Sequence, residues 1–214
     1  MTIGRHWRIP LAPEGLPFVI PLACLAVLSA LFGWWVVTAV TGLAAFCTAA
    51  FFRDPERVIP SLPGTVVSPA DGRVMGVVEE DGRWRISIFL SVFNVHVNRA
   101  PVGGKVSAVT YTPGQFRAAY RQDASRVNEA NSLTLEHHQH CIVVKQIAGL
   151  IARRIVCRVQ AGAVLEKGQR YGLIRFGSRT DLVLPHEAEV TIRVGDNVRG
   201  GETVLATLKE SDDI

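Results

Sequence analysis

The run from Tyr171 to Pro185 places a glycine and a hydroxyl side by side, Gly177-Ser178, between two apolar clusters. Leu173, Ile174 and Phe176 precede the pair and Leu182, Val183 and Leu184 follow it, a composition that favours a buried extended segment. Neither Asn-Gly nor Asp-Gly nor a proline marks a turn at this step. A serine here is a nucleophile if a base and an orienting carboxylate reach it; otherwise the glycine only lets another backbone approach closely. Phe176-Gly-Ser-Arg-Thr180 lacks the Gly-x-Ser-x-Gly elbow, which argues against a serine hydrolase. Asp71 stands in Ser68-Pro-Ala-Asp-Gly72, where a carboxylate ordinarily serves an exposed turn. His96 lies among Val92, Phe93, Val95 and Val97, a strand-like setting in which a histidine is commonly a satisfied core residue. His186 is a weaker acid/base candidate. In Glu136-His-His-Gln-His140 a strand would put His138 and His140 on one face and His137 on the other. No second cluster completes a coordination sphere, so a solvated loop is expected and no metal site.

Taken in order, Arg53-Asp-Pro-Glu-Arg57, Val67-Ser-Pro-Ala-Asp-Gly-Arg-Val74, Asn94-Val-His-Val-Asn-Arg-Ala-Pro101, Asn128-Glu129 and Arg175-Phe-Gly-Ser-Arg-Thr-Asp-Leu182 form a series. Their joint order and spacing resemble the phosphatidylserine decarboxylase proenzymes, in particular the short, archaeal-type branch of that family. The resemblance implies self-cleavage between Gly177 and Ser178. Ser178 Oγ would attack the Gly177 carbonyl, where no Cβ blocks the approach, turning the amide into an ester. β-Elimination and hydrolysis of the enamine would then leave a covalent pyruvoyl group at position 178. The products would be a β chain, 1–177, and an α chain, 178–214, held together as a heterodimer.

The same resemblance makes His96 the acid/base and Asp71 the carboxylate that orients or charges a histidine beside the serine. The larger branch carries a second histidine where this chain has Arg99, which cannot act as a base. Arg99 would instead bind a phosphate or carboxylate, with Asn128 and Glu129 as further substrate-binding candidates. In turnover the amine of phosphatidylserine would form a Schiff base with the pyruvoyl carbonyl, an electron sink for loss of carbon dioxide. Protonation by His96 would give phosphatidylethanolamine. The implied protein is a carboxy-lyase of phospholipid biosynthesis, needing neither metal nor pyridoxal phosphate.

These residues need a scaffold and a membrane. No charged side chain occurs from Gly15 to Phe52. As one helix that run would measure about 57 Å, against a hydrocarbon core of about 30 Å. Two helices broken near Gly33 fit better, with Trp34 and Trp35 at an interface and Arg5, Arg8, Arg53 and Arg57 at the two ends on one side. Two spans, a re-entrant hairpin and an interfacial hairpin all satisfy this pattern. A cleaved signal peptide fits less well, because the apolar run outlasts an h-region. Arg53-Asp-Pro-Glu-Arg57 reads as a snorkelling collar at the end of this element, with no catalytic role.

From Pro60 the pattern is β. Strands are expected at 64–67, 72–78, 83–90, 107–112, 132–135, 141–147, 151–159 and 187–194, with 115–130 helical or irregular. The expected fold is mainly β: a barrel/sandwich-hybrid-like catalytic domain (58–214) behind an N-terminal hydrophobic helical membrane element (1–57). Turns such as Val194-Gly-Asp-Asn-Val-Arg-Gly-Gly-Glu202 resemble those of biotinyl and lipoyl carriers, which makes a membrane-held, non-catalytic adaptor or carrier the alternative. Lys105 and Lys167 do not sit in a carrier's Met-Lys-Met setting.

Composition narrows the partners. The 214 residues are 48% hydrophobic and only 20% charged, with the apolar excess near the N-terminus. A net charge of +4 suits an anionic lipid surface; no nucleic-acid motif accompanies it. A cytoplasm-facing location on the cell membrane follows. Cys24, Cys47, Cys141 and Cys157 show no Cys-x-x-Cys spacing and are expected to be buried thiols.

Overall fold

A computed structural model describes residues 10–121, 123–150, 154–175 and 177–209. Arg5, Arg8 and Phe176, together with the start of the expected 151–159 strand, lie outside the described residues. The chain divides into two compact units between Glu56 and Arg57.

In the first unit a 3-10 turn, Pro13–Gly15, leads into helix α1 (Leu16–Leu31), and α2 (Trp35–Phe51) returns beside it. Gly33 lies between them at φ +72°, the left-handed geometry that lets a helix stop without a Cβ clash. Ser29 Oγ and Thr38 Oγ1 meet at 2.9 Å and join the two helices near the turn. At the far end Ala12 N–H donates to Phe52 O. The segment Pro13–Leu31 is long and apolar enough to cross a membrane by length and composition. Val27, Leu28, Val36, Val40, Leu43 and Phe46 stand exposed on the pair, an apolar surface that suits lipid better than water. The break at Gly33 follows the sequence expectation.

Among its described residues the second unit holds fourteen short strands. They are β1 (Thr65–Val67), β2 (Gly72–Glu80), β3 (Arg83–Leu90), β4 (Val97–Arg99), β5 (Gly104–Thr112), β6 (Ala130–His137) and β7 (His140–Ile147), then β8 (Ile155–Cys157), β9 (Val164–Leu165), β10 (Arg170–Ile174), β11 (Ser178–Pro185), β12 (Glu189–Val190), β13 (Asn197–Val198) and β14 (Val204–Thr207). Eight of them form a curled half-barrel in the order β13-β2-β3-β11-β7-β6-β5-β9; β1-β14-β12 and β4-β10-β8 form two smaller sheets. Alternation sets the core. Ile86, Ile88 and Leu90 of β3, Leu182 and Leu184 of β11, Ile142 and Val144 of β7, and Leu133 and Leu135 of β6 all point inward and are fully buried. The mainly β fold with its apolar helical N-terminus is as expected from the sequence.

Three local expectations are corrected. The run 171–185 is not one strand: β10 ends at Ile174, β11 begins at Ser178, and the two belong to different sheets. The expected 187–194 strand shrinks to Glu189–Val190, because Arg193 N–H bonds Asp196 Oδ2 at 2.8 Å and folds the chain into a turn. The thiols are not fully buried either: Cys24, Cys47 and Cys141 are exposed on outward positions, and Cys157 is half-buried against the edge of the core.

β11 occupies the middle of the large sheet and its Leu182 is fully buried. Leu182→Ala is expected to cost about 2–5 kcal/mol in a chemical-denaturation experiment.

Candidate active site

Ser178 is the first residue of β11, and its partner across the sheet is Leu90, the last residue of β3. The preceding Gly177 has φ +60°, in the left-handed region that a side chain resists. Ser178 Oγ is fully buried and has no hydrogen-bond partner among the described residues. Most buried hydroxyls are paired, so an unsatisfied one directly after a left-handed glycine stands out.

His96 is also fully buried. Its Nδ1 lies 2.9 Å from Asn94 O. A carbonyl can only accept, so Nδ1 carries the hydrogen and Nε2 is the basic nitrogen of the neutral ring. The turn that presents it starts opposite Ser178: Ser91, which follows Leu90, donates through N–H and Oγ to Asn94 Oδ1 at 2.9 and 2.7 Å. The His96 carbonyl accepts Ile174 N–H at 3.2 Å, at the end of β10. Two residues beyond each candidate the strands meet directly, where Asn98 Nδ2 donates to Thr180 Oγ1 at 3.2 Å. Gln146 Nε2 donates to Asn98 Oδ1 at 2.9 Å, and Asn131 Nδ2 to Gln146 Oε1 at 3.1 Å. This buried amide chain ties β6, β7, β4 and β11 together, and sequence reasoning missed it. Its signal was available as polar residues at inward positions of apolar strands.

Asp71 and Arg99 fall into a separate cluster. Asp71 is buried, not exposed in a turn, because Arg57 folds onto it: Arg57 Nη2 donates to Asp71 Oδ2 at 2.8 Å and Gly200 N–H to Oδ1 at 2.7 Å. Arg57 Nη1 also reaches Glu202 Oε2 at 3.2 Å. With a side chain only 8% exposed, Arg57 is an internal ion-pair partner and not part of a snorkelling collar. Arg99, also buried, donates from Nη1 to Gly168 O at 3.1 Å and from its backbone to Pro69 O. Both Asp71 oxygens thus accept hydrogen bonds from groups other than His96.

Asn128 is buried with its amide committed to backbone: Nδ2 donates to Arg117 O and Ala148 O, and Oδ1 accepts Arg117 N–H. Glu129 sets its carboxylate beside Tyr111; burial first and then that carboxylate hold the phenol above its ordinary range. His138 sits at φ +50° in the tight turn between β6 and β7, and His137 and His140 bond the carbonyls of Gly103 and Lys209.

On the outward face of β11, Arg179 pairs with Asp181, Nε to Oδ1 at 2.6 Å and Nη2 to Oδ2 at 3.0 Å, both nearly fully buried. Ser87, Lys145 and Arg85 join them along a cavity of about 910 Å³. Burial lowers the Lys145 pKa, against the pull of Asp181. In the sequence Arg179 and Asp181 figure only as part of the Arg175–Leu182 motif and carry no assigned role, although Arg179-Thr-Asp181 alternates in period with the inward hydroxyls.

The phosphatidylserine decarboxylase family model matches residues 43–206, a range that includes Arg57, Asp71, His96, Asn128 and Ser178. The chain belongs to the phosphatidylserine decarboxylase family. It is 43% identical over 209 residues to a phosphatidylserine decarboxylase proenzyme of Desulfotalea psychrophila, covering 94% of this chain and 98% of the relative. It is 49% identical over 208 residues to that of Symbiobacterium thermophilum, covering 94% and 96%. For the proenzyme of Nocardia farcinica the figures are 50% over 211 residues, 93% and 88%. Similarity to phosphatidylserine decarboxylase proenzymes thus runs through both the serine strand and the Arg57 cluster.

Two outcomes follow for that cluster. Arg57→Ala leaves Asp71 buried without its counter-ion and is expected to cost about 3–5 kcal/mol, part of which Arg57→Ala/Asp71→Asn should recover in thermal or denaturant melts. At Glu202 burial works to raise the pKa, but Val58 N–H and Arg57 outweigh it and hold the carboxyl below its ordinary value. A depressed carboxyl contributes stability that is complete above its unfolded value and lost as pH falls through the folded one. Glu202→Gln should therefore flatten the acid limb of the stability–pH curve and leave its shape at neutral pH unchanged.

Proposed function

We propose that this chain is a membrane-associated phosphatidylserine decarboxylase that makes its own pyruvoyl group from Ser178. The observation that carries the reading is the buried hydroxyl of Ser178, without a partner among the described residues, next to a glycine at φ +60°. In the cut, the Ser178 Oγ–carbonyl bond forms, the Gly177–Ser178 C–N bond breaks, and the hydroxyl proton passes to the departing nitrogen. Loss of the Ser178 α-proton then expels the Gly177 carboxylate. Addition of one water releases ammonia and leaves the ketoacyl group. When present, the group supplies an electron sink for breaking the Cα–carboxylate bond.

The chain's own residues would bind, orient and protonate. His96, with Nδ1 fixed by Asn94 O, offers Nε2 as the acid/base. Asp71 acts as a positioning residue: Arg57 and Gly200 hold the 68–71 turn, and its Pro69 carbonyl receives the Arg99 N–H and Asn98 Nδ2. The small fragment would begin with β11, which is paired on both edges, so the two pieces stay one body as a heterodimer. The apolar α1 segment supports a membrane location, and Arg5, Arg8 and Arg53 beside the hairpin favour its cytoplasmic face.

Intact mass spectrometry of the purified protein beside Ser178→Ala tests the reading. Wild type should give two fragments, the smaller one lighter than a serine-terminated 178–214 peptide by one ammonia, and the variant should stay whole. An uncut wild type would overturn it. In cleaved protein, His96→Ala should reduce carbon dioxide release from phosphatidylserine vesicles by about 10²–10⁴-fold.

A further inference from the structure

We infer that Gly149 is the seat of the scissile carbonyl, and that the chain cuts itself only because residue 149 carries no side chain. This rests on the self-cleavage reading and names the group that orients its first step. A Cβ added to Gly149 would collide with the Gly177 carbonyl oxygen and would stand 3.0 Å from the Gly177 carbonyl carbon. The oxygen thus occupies the volume a side chain would need. The two glycines serve opposite purposes. At Gly177 a Cβ would meet nothing within 4 Å, so glycine is required there for its φ of +60°. Gly149 shows no positive φ, so its backbone is open to any residue and only the space demands glycine.

Gly149 is held in place by the Asn128-Glu129 pair. The Ala148 N–H donates to Glu129 O at 2.9 Å, and Asn128 Nδ2 donates to Ala148 O at 2.8 Å. Both polar groups of the residue before Gly149 are therefore pinned. Asn128 and Glu129 become positioning residues for the cut: they fix the backbone against which the carbonyl oxygen rests. With the oxygen seated there, the Gly177 carbonyl is held in one orientation, the one in which Ser178 Oγ is to add to its carbon. The hydroxyl adds to that carbon, the C–N bond breaks and the proton goes to the nitrogen. A side chain at 149 would force the carbonyl to rotate out of line.

The test follows the rate of chain cutting in wild type, Gly149→Ala and Ser178→Ala by intact mass and denaturing gels, with hydroxylamine added to trap the ester. Gly149→Ala should cut about 10²-fold slower or worse, the scale of loss for a misplaced reacting group, and hydroxylamine should fail to cleave it at 177/178. Its thermal midpoint should match that of the equally uncut Ser178→Ala. A Cβ at 149 would also lie 3.2 Å from Ala119 Cβ; if Gly149→Ala folds poorly, Ala119→Gly/Gly149→Ala removes that second neighbour and leaves the carbonyl conflict. Wild-type cutting rates in either folded variant, or intact hydroxylamine cleavage, would overturn the inference. An uncut wild type would instead overturn the self-cleavage reading itself.

Discussion

Everything in the β unit hangs on the double-edged pairing of β11. The strand bonds β3 along one side from Ser178 to Pro185 and β7 along the other from Arg179 to Val183. Its inward side chains enter the core and its outward Arg179 and Asp181 are buried as a bidentate pair. Such a strand has almost no freedom to slide, because a one-residue slip would exchange its core and charged faces. Ser178 inherits that rigidity as the strand's first residue, while Gly177 just outside it takes up the sharp change of direction from β10.

Two polar systems brace this strand from different sides. The amide chain Asn131–Gln146–Asn98–Thr180 crosses the interior and is linked at every step, which is the condition under which buried polarity specifies a fold instead of weakening it. The Arg57–Asp71–Glu202 cluster fastens the turn on which Asn98 and Arg99 rest. A buried charge pair adds little net stability compared with an apolar replacement, yet removing one member is costly. Its value here is therefore geometric: it fixes where the 68–71 turn can lie.

Much of this was legible in the chain. The strand Arg83–Leu90 and the helix break at Gly33 follow from alternation and from a glycine within an uncharged run. Gly177-Ser178 stood out by residue type and by motif order. What stayed hidden was long-range. Nothing local to Asp71 says that Arg57 will fold onto it: residue type alone pointed to an ordinary Asp-Gly turn, and the family resemblance to a carboxylate beside a histidine. Likewise the separation of β10 from β11 depends on the two strands finding different sheets, which tertiary packing decides and apolar composition cannot. Gly149 sits in an unremarkable Ala-Gly-Leu, and only the neighbouring carbonyl gives its missing side chain a meaning.

The depth of Ser178 has a further consequence. On the proposed route the Gly177-Ser178 step, its seat at Gly149 and the acid/base His96 come from separate stretches of the chain, and they meet only after β11 has found both neighbours. Maturation is then a reporter of completed folding. A copy that collapses wrongly never assembles the cutting geometry and stays inert, so the membrane receives working enzyme only from chains that have already passed their own structural inspection.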